Sequence, residues 1–166
     1  MAEFSNALDI CTAFVGRNEV AEMNEIITRF TSSVNAPLVI DSTETPVIEA
    51  ALKLHGGKPI INSINFEDGE GHATDRLILA KKFGACVIAL TIDEVGMAKE
   101  PEQKLRIARR LVDFACTKYG LPQSDLLIDP LTFTCPANDF VYDVTFDVIV
   151  ISVVVHRVSA VVTFHR

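Results

Sequence analysis

Short apolar runs recur along this chain, each followed by a longer stretch with helical spacing, and each run carries a carboxylate or an amide at or near its end. The first run is Ala7-Leu8-Asp9-Ile10, the second Pro37-Leu38-Val39-Ile40-Asp41 and the third Pro59-Ile60-Ile61-Asn62-Ser63-Ile64-Asn65. The fourth, residues 85–92, is apolar apart from Thr91 and stops at Asp93-Glu94. The fifth is Asp125-Leu126-Leu127-Ile128-Asp129-Pro130. Short apolar runs of this length read as strands, and the fourth reads as a strand buried on both faces. Between them, Val20, Met23, Ile26, Ile27 and Phe30 fall on one helical stripe, and Val47, Ile48, Ala51 and Leu52 on another. Strand and helix alternating at this spacing require a parallel sheet with crossover helices.

The punctuation agrees with that reading. Ser42 or Thr43 can cap a helix whose first turn holds Pro46, and Gly56-Gly57 ends it. A polar loop over 67–71 leads to a helix expected over 75–83, closed by Gly84. A long helix is expected over 101–119, from Pro101 to a stop at Gly120. This gives an α/β chain with about five parallel strands in 1–134. Residues 135–166 differ: dense in Val, Ile and Phe, with no Gly, they form a β-prone tail of another character.

Bulk properties narrow the partners. A formal charge of -7 is a poor match for nucleic acid and for anionic membrane surfaces. The longest apolar run, in 148–155, is too short to span a bilayer, and residues 1–10 do not read as a secretion signal. A cytoplasmic protein with small-molecule or protein partners is the expectation. Cys11, Cys86, Cys116 and Cys135 are scattered, form no metal-binding pair and are expected to be buried free thiols. His55 and His72 are expected at the surface, and no metal site is expected.

The polar run ends carry the functional signal. In a parallel barrel all strand C-termini share one rim, where active sites sit. Each of Asp9, Asp41, Asn62, Asp93, Glu94 and Asp129 then has two open readings, a turn or helix cap or a ligand contact. Asn62 lies inside an apolar run, Asp9 precedes no immediate helix start, and Pro130 favours an extended Asp129. Those three fit capping poorly. A set of carboxylates and amides, without a Gly-rich phosphate loop or a nucleophile–His pair, suits a ligand rich in N–H donors. A fused aminopyrimidinone ring is one, because a carboxylate accepts two parallel N–H bonds from it.

Residues 8–23, 37–54, 52–69, 81–98 and 125–134 together resemble the pterin-binding domains of cobalamin-dependent methionine synthases, in the same order. The resemblance implies a (β/α)8 TIM-type barrel, present here in part, with Asp41, Asn62 and Asp129 orienting the pterin of 5-methyltetrahydrofolate. It also implies that Asp9 supports the pocket, that Ser63 and Asn65 are lesser ring contacts, and that Asn62 is the catalytic group at N5. Cobalamin would be held by another module, and homocysteine methylated at zinc in a separate domain. Asp93-Glu94-Val95-Gly96 favours this family over the dihydropteroate synthases, although the family usually has an acidic residue where Val95 stands. Those synthases would need a basic pyrophosphate loop, which residues 1–134 lack. The tail resembles nothing in the family. An inactive fragment of such a barrel is the competing expectation.

Overall fold

The computed structural model describes residues 7–131. The domain boundary expected at 134/135, the Val-rich tail and Cys135 lie outside them.

The first unit is β1 (Leu8–Cys11) followed by α1 (Glu19–Ser33). Asn18 caps α1 by accepting from Ala21 N at 3.1 Å, and Glu19 and Glu22 place negative charge in its first turn. The second unit is β2 (Leu38–Asp41) and α2 (Thr45–Leu54), with Pro46 in the first turn. The third is β3 (Ile60–Ile64) and α3 (Gly71–Phe83). The fourth is β4 (Cys86–Leu90), a small hairpin of β5 (Ile92–Asp93) with β6 (Gly96–Met97), then α4 (Pro101–Val112). A π-helical stretch, Asp113–Lys118, continues α4, and β7 (Leu126–Asp129) closes the described chain.

The main sheet is parallel and its order, β1-β2-β3-β4-β7, follows the chain. A doubly wound sheet reverses its strand order at a switch point and puts helices on both faces. No reversal occurs here, so the helices collect on one side, with α1 packed on α2 and α2 on α3. This is the arrangement of a partial TIM-type barrel. Register makes the sidedness explicit. Ile10, Ile40, Ile61, Val87 and Leu126 align across the sheet and are all buried under the helices. The next row, Cys11, Asp41, Asn62, Ile88 and Leu127, points the other way and is only half-buried or exposed.

Local expectations meet several corrections. Neither Ser42 nor Thr43 is the N-cap of α2. Glu44 holds that place without a side-chain bond, while Ser42 Oγ accepts from Glu44 N at 3.1 Å and donates to Glu19 Oε1 at 2.7 Å. Helix α3 begins a turn before the expected 75, because residues 71–74 are compatible with helix and nothing breaks it. Gly84 closes it as expected, at φ 69° in the left-handed region. Cys11 is exposed rather than buried, being on the uncovered face of an edge strand, and Cys86 and Cys116 are half-buried; all three are free. His72 is exposed, but His55 is half-buried with its Nδ1 unpartnered among the described residues. No described helix is long and apolar enough to cross a membrane.

Candidate functional site

Asp41 and Asn62 are register partners on adjacent strands, so their side chains leave the same face about 5 Å apart. Asp9 is a correction to the expected pattern. It does not end its strand but is the second residue of β1, one row lower on the same face, paired with Val39. From there its Oδ2 accepts a 3.3 Å hydrogen bond from Asn62 Nδ2, reaching across β2 past Asp41. Three of the expected residues thus converge at one place.

The electrostatics of that place are unusual. Burial, and after it the charge of Asp9, pushes the Asp41 carboxyl above the usual carboxylate range; a hydrogen bond from Cys11 opposes this and Glu19 adds to it. Among the described residues no ion pair neutralises Asp9, Asp41 or Glu19. A cluster of acceptors without cations is short of donors, and a ligand edge rich in N–H groups supplies them.

Asp129 stands apart, paired with Leu90 at the end of β7, two strands from Asn62. Its Oδ1 accepts from Leu131 N at 2.8 Å, which turns the chain, and Leu131 adopts φ 56°. Between Asp129 and the Asp41–Asn62 pair, the sheet face that no described helix covers is apolar, made by the half-buried Ile88, Leu90 and Leu127. A flat apolar floor with polar groups at two opposite ends suits a planar heterocycle.

The remaining expected residues do other work. Asn65 Oδ1 accepts from Glu67 N at 2.9 Å in a local turn and lines a cleft of about 290 Å³ with Glu67, His72 and Arg76. Ser63 follows a cis Asn62–Ser63 peptide bond, at a register shift between β3 and β4. Asp93 and Glu94 are held by arginines: Arg106 reaches Asp93 Oδ2 at 2.8 Å, and Arg110 grips Glu94 with two bonds of 2.8 and 2.9 Å. Those two acids brace the β5–β6 hairpin. Among the described residues no group of His, Cys, Asp and Glu could hold a metal ion.

A sequence model described as pterin binding enzyme matches residues 3–145. The chain belongs to the pterin-binding enzyme family. Among curated relatives, it is 42% identical over 133 residues to the methionine synthase of Mycobacterium tuberculosis (strain ATCC 25618 / H37Rv), a match covering 78% of this chain and 11% of that protein. The methionine synthase of Mycobacterium leprae (strain TN) matches with the same identity and the same coverage. The chain therefore spans about a ninth of the length of these relatives.

Two buried cations of this pterin-binding family member were not singled out from sequence. Arg76, in α3, donates to the carbonyls of Ser63 at 2.5 Å and Thr43 at 2.7 Å. Lys104, in α4, is 2% exposed and donates to Leu131 O at 3.1 Å, beyond Asp129. Burial pulls the Lys104 pKa down, while Asp129 and Glu100 pull it up. The missed signal was positional. Arg76 lies on the stripe of Ala73, Leu77 and Ala80, and Lys104 on that of Ile107, Ala108 and Leu111. A cation on an apolar stripe must find acceptors inside the fold.

Proposed function

We propose that this chain binds 5-methyltetrahydrofolate on the uncovered sheet face and presents its N5-methyl group for transfer to cob(I)alamin carried by another module, as part of a methionine synthase. The observation that carries this is the convergence of Asp9, Asp41 and Asn62 at one end of an apolar floor, with Asp129 at the other. Family membership and the names of the mycobacterial relatives support it. A cytoplasmic location goes with the reading, as does a cobalamin-binding module as partner.

In this reading Asp41 accepts paired N–H bonds from the aminopyrimidinone edge, and Asp129 orients the ring from the opposite end. Ser63 and Asn65 border the ring, and Asp9 holds the Asn62 amide in its rotamer. Cob(I)alamin supplies the nucleophile. The bond that breaks is N5–CH3, and N5 keeps its electron pair, so an unassisted N5 would leave as a strongly basic amide anion. A hydrogen bond or a proton at N5 lowers that barrier, and in this reading Asn62 Nδ2 donates there. The site works by preorganised dipoles and positioning, with no covalent nucleophile.

Calorimetry with 5-methyltetrahydrofolate tests the reading on the chain as it stands. Saturable binding, weakened about tenfold by Asn62→Ala, is expected for loss of one good hydrogen bond. A folded chain that takes up no folate would overturn it and leave the competing reading, an inactive fragment of the fold.

A further inference from the structure

Arg76 is buried to 7% exposure on the apolar stripe of α3, where an aliphatic side chain would pack without a desolvation cost. Its two hydrogen bonds go to main-chain carbonyls, and its Nε has no partner among the described residues. A buried cation left partly unsatisfied is a poor stabiliser, so stability alone does not account for it.

What the guanidinium touches is specific. Ser63 follows Asn62 directly, and Thr43 lies two residues after Asp41. The β2–β3 ladder ends at this row: beyond it, among the described residues, a long 3.4 Å main-chain bond from Ser42 N to Asn62 O joins the two segments, and β3 shifts register against β4. One rigid, permanently charged fork therefore takes over where strand pairing stops. Burial lowers the Arg76 pKa and the charges of Glu44 and Asp75 oppose this; an arginine stays protonated nonetheless.

We propose that Arg76 is a positioning residue of the pterin site: by holding the Ser63 and Thr43 carbonyls from one side chain, it sets the relative placement of Asn62 and Asp41 without touching the ligand. The ligand part of this rests on the function proposed above. The geometric part does not.

The test uses Arg76→Lys and Arg76→Gln in the full chain, with Leu79→Ala as control. Leu79 is 7% exposed on the same helix and, being apolar, has no group to hydrogen-bond the Ser63 or Thr43 carbonyl. Circular dichroism and thermal melts establish folding. The side-chain amide signal of Asn62, assigned by its loss in Asn62→Ala, is then followed by NMR in the ligand-free protein. A lysine offers one compact ammonium in place of a fork, so R76K is expected to shift or broaden that signal and to weaken 5-methyltetrahydrofolate binding about tenfold. Leu79→Ala should lower the melting temperature and leave both readings unchanged. An unmoved Asn62 signal in R76K and R76Q overturns the proposal, and so does an equal loss of affinity in Leu79→Ala. Unfolding of both Arg76 variants also overturns it, since Arg76 is then a folding determinant. If the wild type binds no folate, the functional reading falls, and the Asn62 signal alone decides the role of Arg76.

Discussion

Replacing Phe66 by leucine tests whether the rim is held up by ring geometry or by bulk burial alone. Phe66 lies two residues after β3 in the rim turn, is fully buried, and its N–H bonds to Ile92 O at 3.0 Å. Its ring meets Phe114 edge-on, with centroids 5.2 Å apart and planes at 89°. The Arg110 guanidinium stacks over it at 4.0 Å. An edge-to-face pair contributes about 0.5–1.5 kcal/mol beyond its area. A cation over a ring at a partly exposed site contributes about 0.5–1 kcal/mol. The change of shape itself costs below about 1.5 kcal/mol. Phe66→Leu should therefore destabilise by about 2–3 kcal/mol, and a chain of this size then melts roughly 5–10 °C lower. A double-mutant cycle with Arg110→Met isolates the cation–ring part, free of the Glu94 pairing that both Arg110 backgrounds share, with an expected coupling of about 0.5–1 kcal/mol by urea denaturation. Zero coupling, or a Phe66→Leu cost no larger than the shape change, would refute the argument from ring geometry.

Two titration predictions follow from the acids. Folding raises the Asp41 pKa through burial first and Asp9 second, so its neutral form is favoured in the folded chain. That contribution is complete below the unfolded carboxylate pKa and is lost as pH rises through the raised folded value. Asp41→Asn should then match the wild type in acid melts and become the more stable of the two towards neutral pH, while binding folate at least about tenfold more weakly; a wild type that stays the more stable at neutral pH would contradict the assignment. Glu94 behaves in the opposite sense: its hydrogen bonds from Arg110 hold it at about 2, so its contribution is present above the usual glutamate range and disappears as pH falls towards that value. A carboxyl NMR titration should show this low midpoint and its return to the ordinary range in Arg110→Met, and an unmoved midpoint would exclude Arg110 as the cause.

The strand–helix rhythm was legible because each βα unit carries its own signals. Pro46 and Pro101 mark helix starts, Gly84 a helix end, and the apolar runs mark the strands, although only one face of the sheet is buried under the described helices and the other is half-buried or exposed. Parallel direction puts Asp41, Asn62 and Asp129 towards the same end of the sheet, with Asp129 two strands from Asn62. What sequence could not supply was depth and competition. Asp9 lies two residues before the strand end because β1 runs on through Cys11. Asp93 and Glu94 had the same pattern as the other strand-end acids, yet two arginines of α4, several residues downstream, claim them. Asn65 is an amide just past the end of the strand that holds Asn62, but its Oδ1 accepts from Glu67 N, so a local turn uses it. Arg76 and Lys104 become legible as buried cations only when their apolar stripe neighbours are counted.

The sequential strand order has a consequence for how such a chain tolerates change. Both edge strands of the described sheet, β1 and β7, run in the same direction as the strands between them. Any further parallel strand docked at either edge would deliver its following loop to the same end of the sheet as Asp41, Asn62 and Asp129. The opposite end, where Pro37, Pro59 and Pro122 lead the chain back into strands or the short turn before one, carries none of those residues. Under the proposed function, substitutions at that end bear on folding and those at the other end on recognition.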